Sequence, residues 1–489
     1  MYNNALSLGK NVEFKKSFWF SIFLIAIFSH FLMPTIMPGL LNQVLGILLI
    51  TGIIYWFYIK NGDIITFILI IYIFSHFDIG INQGGAFNII SFFCLLLGYN
   101  YLRDNNYLLE NKKYLQILTF LLLFFNIIGW ITVNKPGLPN LFAILGFLGY
   151  LFVFTISSKI YLSPRIVKLF IITNIVLLVY MALVGLNMRL NLIYSKSILF
   201  GVMDSYLGAV RVGTTMNYHA SAEYAMLSFI LLFTIYISKF KNIFEIKSYW
   251  YFISFISVVV IFILCQMRSN FFLTIFFIPF SLLYFFILNR YKIFKISKYF
   301  VFFTSITLIF ILISPLLEFS FFLDRIREVD FSRIFTWDSI THGRDINRQA
   351  TFEYTLFRLV RENWFLGYGW SNIKGNQIAW FGTELTEFFD PHSLYLSLPM
   401  VFGYSGGIVF LLIILVTFYR LIDIQLLHSK NKHYLMPLVY GFTFLILFFL
   451  INQIKATILS DAGYFMIFWI WLGLANSVVN TIKKDISGF

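Results

Sequence analysis

Six side chains in this 489-residue sequence have the types and spacing to handle an anion and a proton. Arg268 interrupts an otherwise apolar stretch from Tyr249 to Leu288, inside "QMRSN", where two helices must turn round. A charge at that depth is costly and marks a water-filled cavity or a bound anion. The plainer alternative is an arginine snorkelling to headgroups. Arg211 lies in "LGAVRVGTTMN", whose small residues let the backbone approach another group closely; otherwise it is a loop arginine at the interface. Arg344, in "THGRDINRQA", sits at a turn leading into a helix, and Arg348 four residues on can share its face. Surface arginines are common, so these two carry little by themselves. His392 stands in "FFDPHSLYLSLPMVFGYSGG", where a loop becomes a long apolar helix. Imidazole exchanges a proton readily near neutral pH, Asp390 could orient its ring, and Pro391 favours a fixed helix start. A lone histidine there is otherwise only an interfacial residue.

The elements that position these groups are membrane spans. The chain is 60% hydrophobic and only 12% charged, where a soluble domain carries about a quarter charged residues. Its mean hydropathy is +0.83. Apolar runs recur from end to end, too long and too continuous for barrel strands. The fold class expected is all-α: a polytopic membrane protein of about fourteen (12–14) transmembrane helices. The spans run roughly 18–36, 40–58, 64–80, 84–102, 114–132, 139–158, 168–188, 218–238, 249–267, 270–289, 299–318, 395–419, 434–452 and 461–481. A twelve-span reading with two re-entrant pieces is the alternative. The basic N-terminus precedes a span-length run without a small-residue cleavage site, so it reads as a first span, not a cleavable signal.

Lys and Arg set the orientation. With both termini in the cytoplasm, the inside segments hold residues such as Lys15, Lys60, Lys112, Arg165, Lys241, Arg290, Arg420 and Lys483. The short outside segments keep only Lys135, Arg189, Lys196, Arg211, Arg268 and Lys455. This is the positive-inside pattern, and it accounts for most of the formal charge of +14 without a nucleic-acid partner. The chain divides into spans over 1–318, a large outside loop over 319–394, and further spans over 395–489. Within the loop, "RQATFEYTLFRLVREN" has a helical period and "WFLGYGW" stops that helix at its glycines. A loop of that length with this composition is a structured subdomain. Cys94 and Cys265 lie in apolar runs and read as buried thiols.

Several classes are excluded by pattern. The sequence has no P-loop, dinucleotide fingerprint, metal-ligand spacing or nucleophile elbow. No span carries a chain of acids suited to an ion pathway, which weighs against a secondary transporter.

"GRDINRQATFEYTLFRLVRENWFLGYGW" resembles a pattern of Gly-Arg, a helix, then a large hydrophobic residue and Gly-x-Gly. "PHSLYLSLPMVFGYSGG" resembles its second half, in which His, usually followed by Asn, precedes a helix and Gly-x-x-Gly; here Ser393 replaces that Asn. With "RVGTTMN" and "MRSN" in the same order, the chain resembles the O-antigen polymerase and O-antigen ligase superfamily of bacterial membrane glycosyltransferases.

That resemblance implies a GT-C-type enzyme at the periplasmic face of the inner membrane. Its donor would be a glycan on undecaprenyl diphosphate, and it would use no cofactor, metal or nucleotide sugar. Arg211, Arg268 and Arg344 would then bind diphosphate, with Arg344 alternatively on the acceptor, and Arg348 and Asp390 in support. His392 would activate the acceptor hydroxyl. A polymerase, which joins lipid-linked repeat units, is favoured over a ligase, which moves finished glycan to lipid A core. Membrane lipid surrounds the protein, and a chain-length regulator is a candidate partner. A lipid-linked oligosaccharide flippase and a non-catalytic assembly protein are the readings from other classes.

Overall fold

The computed structural model describes residues 68–69, 71–73, 75–76, 113–133, 138–190, 203–206, 209–212, 218–238, 241–289, 364–367, 393–428, 433–454, 458–460 and 462–487. Among these lie nine α-helices: α1 Lys113–Val133, α2 Leu138–Ser157, α3 Pro164–Leu190, α4 Tyr218–Ile237, α5 Ser248–Cys265, α6 Arg268–Asn289, α7 Leu394–His428, α8 Met436–Asn452 and α9 Ala462–Ser487. A short antiparallel hairpin, β1 Met203–Tyr206 and β2 Ala209–Val212, precedes α4. It lies in what the sequence presents only as an outside segment.

Helices form here because a helix satisfies its backbone polar groups internally, as the interior of a bilayer demands. Five, α3, α4, α5, α7 and α9, are long and apolar enough to cross a membrane; α1, α2, α6 and α8 contain shorter apolar stretches. The protein is a helical membrane-embedded chain. Residues 68–69 and 71–73 are helical and lie within the third expected span. The expected spans 18–36, 40–58, 84–102 and 299–318 lie outside the described residues, as does the 319–394 loop apart from 364–367 and its last two residues.

Two helices are central. α4 and α9 are almost wholly buried, as expected of helices surrounded by other helices. α4 packs on α5, α6 and α8, and α9 on α2, α7 and α8. Close approach of α9 and α2 depends on Gly473, where an added Cβ would lie 2.5 Å from Ser157 Cβ and 2.8 Å from the Phe154 carbonyl oxygen. Such small-residue contacts replace the hydrophobic drive that lipid cannot supply. An aromatic layer fixes α6 between α4 and α8: the Phe277 ring lies 6.3 Å from Phe229, 5.9 Å from Phe233, 5.6 Å from Phe444 and 5.3 Å from Phe448. A buried polar knot ties the third expected span to the core. Tyr72 Oη donates to Asn174 Oδ1 (2.7 Å) and accepts from Trp471 Nε1 (3.1 Å), while Tyr224 Oη donates to the same Asn174 oxygen (3.1 Å).

One end of the bundle is held by polar contacts among the α2–α3 turn, the residues before α8 and the end of α9. Tyr161 Oη donates to Asp485 Oδ1 (2.9 Å), His433 Nε2 meets Asp485 Oδ2 (3.0 Å), and Tyr434 Oη donates to the Leu162 carbonyl (2.6 Å). Burial, then the Asp485 carboxylate, pushes the Tyr161 phenol up to about 12. Lys168 pairs with Glu245 at 2.9 Å and holds that exposed carboxyl below its ordinary range. These are segments that the sequence assigns to one side of the membrane, and the structure gathers them at one end.

Two expectations need correction. The span expected over 395–419 is Leu394–His428, interrupted at Gly403, whose φ of 68° and ψ of 175° are not helical. Arg420 is not a loop residue. It is buried inside α7, with Nη1 donating to Asn476 Oδ1 and Nη2 to Asn480 Oδ1, both at 2.5 Å, on α9. Two amides one helical turn apart match the two prongs of a guanidinium, which keeps the charge hydrogen-bonded without an acid.

Candidate functional site at the hairpin end of the bundle

The opposite end carries two groupings: the hairpin on the α5–α6 turn, and the start of α7 on the end of α8. α5 ends at Cys265, and Gln266 takes the left-handed conformation (φ 53°, ψ 34°) that turns the chain into α6. Cys265 is buried as expected, and its Sγ lies 3.5 Å from the Val212 carbonyl oxygen of β2. That contact seats β2 on the helix turn. Arg211 precedes Val212 and is paired in register with Asp204, while Arg268 opens α6 three residues beyond Cys265. The structure therefore brings the backbones of Arg211 and Arg268 to the same corner, although 56 intervening residues separate them.

The position of Arg268 is informative. The first turn of a helix carries the positive end of the macrodipole and unsatisfied N–H groups, so a cation there is misplaced unless an anion joins it. An anion at this corner would meet the N–H groups of the α6 N-terminus, which bind phosphate groups. The buried amides nearby agree. Gln266 Oε1 and Asn270 Nδ2 have no hydrogen-bond partner among the described residues, and unpaired buried polar atoms call for a reason.

The two halves of the loop motif meet on α7, beside Phe125 of α1 and Phe147 of α2. The turn 364–367 from "WFLGYGW" packs against the break in α7. Tyr404 N donates to the Trp364 carbonyl at 2.8 Å, and Ser405 Oγ donates to the Phe365 carbonyl. Gly367, at φ 64°, leaves helical space where the sequence expects a stop. An added Cβ on Gly403 would lie 2.3 Å from Phe365 O and 2.7 Å from Gly367 N, both backbone atoms that cannot move aside. The Gly-x-Gly and Gly-x-x-Gly elements are thus two sides of one joint. Gly403→Ala should detach it. A residue in that glycine-only conformation costs about 1–3 kcal/mol, so a lower melting temperature in detergent and faster proteolysis at 364–367 are expected. An unchanged protein would show that the joint holds nothing.

Arg344, Arg348, Asp390 and His392 lie outside the described residues. Ser393 directly follows His392 in the sequence. Ser393 is buried, and its carbonyl accepts from Ser397 N (3.0 Å) and Ser397 Oγ (2.8 Å), so it serves as the helix start. The next residue, Leu394, donates its N–H to the Gln453 carbonyl at 3.0 Å. The start of α7 at Leu394 is therefore held against the end of α8.

Sequence reasoning passed over one group here. Glu223 of α4 is buried, with 3% of its surface exposed, and accepts a hydrogen bond from Gln453 Nε2. Its signal was plain: an acid within an apolar span is costly and usually functional. Asn452, beside Gln453, is buried with neither side-chain atom partnered among the described residues. This end of the bundle thus holds the N-terminus of α6, a buried carboxyl group and several buried amides. No family model, curated protein or solved structure matches the chain.

Proposed function

We propose that the protein is a metal-independent glycosyltransferase of about fourteen spans and GT-C type that acts at the periplasmic face of the bacterial inner membrane, with both termini cytoplasmic. Its donor is an undecaprenyl-diphosphate-linked glycan and its acceptor a lipid-linked repeat unit, which makes it an O-antigen or related surface-polysaccharide polymerase. The observation that carries this reading is the shared corner of Arg211 and Arg268, held by the Val212–Cys265 contact at a helix N-terminus. Such a corner suits a diphosphate.

In this reaction an acceptor hydroxyl oxygen attacks the anomeric carbon. The bond from that carbon to the diphosphate oxygen breaks, and its electron pair leaves with the diphosphate. Arg211 and Arg268, with Arg344 from the loop, take up the charge that develops on the phosphate oxygens. His392 accepts the hydroxyl proton, and Asp390 orients its ring. Arg348 supports Arg344 from the same helix face. Fixed cations at the leaving group do what a divalent metal does elsewhere.

Purified protein incubated with lipid-linked repeat units tests the proposal. Longer glycan on the same lipid is the expected product. Transfer only to lipid A core makes the protein a ligase, movement of intact donor across a vesicle membrane makes it a flippase, and no product of any kind leaves an assembly protein.

A further inference from the structure

We propose that the seam between the start of α6 and the end of α8 is a carbohydrate subsite, in which Asn270 and Asn452 hold hydroxyl groups of the sugar carried by the lipid diphosphate; this rests on the glycan transfer proposed above. Both side chains are buried, Asn270 at 1% exposed and Asn452 at 3%. Among the described residues, Asn452 is the one amide with both polar side-chain atoms buried and unpartnered. Asn270 Oδ1 accepts from Ser269 Oγ at 3.0 Å, which leaves its buried Nδ2 as a donor without an acceptor. Orphaned polar groups inside a protein are destabilising and call for a reason.

The two amides belong to one seam. α6 and α8 run antiparallel and pack through their rings: Tyr284 lies 6.1 Å from Tyr440, Phe280 5.8 Å from Phe444 and Phe277 5.3 Å from Phe448. Asn452 stands four residues after Phe448, on the face of α8 that carries these rings, and Asn270 stands seven residues before Phe277, two turns along the same face of α6. Continued beyond the last pair of rings, the register sets Leu273 opposite Asn452, with Asn270 about one helical turn further on. Pro279 lies inside α6 just below this stretch. It removes a backbone N–H and lets the helix bend, so the start of α6 can part from α8 and admit a ligand between the amides.

The chemistry selects the ligand. An amide nitrogen donates and an amide oxygen accepts, so Asn452 matches a group that does both, as a hydroxyl does. A phosphate offers acceptors only, and an acyl chain offers neither. Arg268, assigned above to the diphosphate, and Asn270 share the first turn of α6. The next group along the substrate is the sugar joined to that diphosphate, and it is the one placed to reach the seam.

Equilibrium titration of the full chain in detergent compares three ligands: the lipid-linked repeat unit, undecaprenyl diphosphate without sugar, and phosphatidylglycerol, whose headgroup also bears hydroxyls. Asn452→Leu should weaken binding of the repeat unit about tenfold, as expected for the loss of neutral hydrogen bonds, and Asn270→Leu about fivefold. Both variants should bind undecaprenyl diphosphate as the wild type does. The second readout needs no ligand. Leu has the branching of Asn without its polar atoms, so Asn452→Leu should melt at the wild-type temperature or above it, because an orphan is removed. Asn476→Leu should melt lower, because that amide is bonded to Arg420, Thr417 and the Leu472 carbonyl. Where Leu at 452 prevents folding, Asn452→Ala is compared in the same way with Asn476→Ala. Equal binding of the repeat unit by wild type and both variants overturns the proposal. So does a loss confined to phosphatidylglycerol, which makes the seam a lipid-headgroup site, or one shared by undecaprenyl diphosphate. A melting loss at 452 as deep as that at 476 overturns it too, since the amide would then be paired already in the resting protein. Wild-type protein that binds the repeat unit through these amides but elongates no glycan refutes the transfer and leaves the subsite standing. Wild-type protein that binds no lipid-linked glycan overturns both.

Discussion

Replacing His392 with Ala should cut glycan transfer by about 10²–10⁴, the usual worth of a positioned general base, and should leave binding of the lipid-linked donor intact. The separation follows from the elements to which these residues belong. The donor's diphosphate is assigned to the corner of Arg211 and Arg268, which is built from β2 and the α5–α6 turn. His392 precedes a different helix, whose start is held by Gln453 at the end of α8. Removing the imidazole therefore does not disturb the anion corner. The neutral ring is the form that takes a proton, so wild-type activity should rise with pH across the range in which imidazole titrates. The Ala variant should lose that limb. Asp390→Asn should do less, since it only loosens the ring. Lost donor binding with the pH limb kept would move His392 to the diphosphate side, and the base would then be sought among Asp390, Glu387 and Glu384.

How far such a site can be read from sequence depends on the signal. Apolar length fixed the described helices well: the expected 218–238 is Tyr218–Ile237, and 434–452 is Met436–Asn452. The same signal erred at Arg420, because counting Lys and Arg by loop asks about sidedness and not about partners. The partners were in the sequence, as Asn476 and Asn480 one turn apart on α9, but nothing local joins them to a residue 56 and 60 positions earlier. The break at Gly403 was hidden for a related reason. Glycines in "FGYSGG" suit close helix packing as well as a kink, and indeed Gly406 is of the first sort, with its Cβ position 3.1 Å from Phe125 Cβ. Only the Trp364–Gly367 turn, far away in the chain, decides which glycine bends. The Arg211–Arg268 corner was legible as two charges on one side, not as one place. The Val212–Cys265 contact that joins them pairs a strand carbonyl with a thiol that the sequence marks only as buried.

The second large effect expected is at Arg268. Arg268→Lys keeps the charge and removes the fork. A guanidinium can grip two phosphate oxygens at once with parallel N–H donors, whereas an ammonium is a point charge on a flexible stem. One lost charge-assisted hydrogen bond is worth about 1.5–3 kcal/mol, so turnover should fall by roughly one to two orders of magnitude. Expression should be normal. Arg268 occupies the first position of α6, where a cation gains nothing from the helix dipole, so the fold does not depend on a guanidinium there. Arg268→Gln separates the two contributions further. It removes the charge, and helix stability should rise slightly while donor binding collapses, because the positive end of α6 alone is a weaker anion site than that end with a guanidinium beside it. Thermal melting and donor binding of the two variants, measured together, should therefore move in opposite directions for Gln, and binding alone should move for Lys. A Lys variant that makes normal polymer reduces Arg268 to a snorkelling side chain. The anion corner would then rest on Arg211 and on the N–H groups of α6, which no side-chain substitution removes.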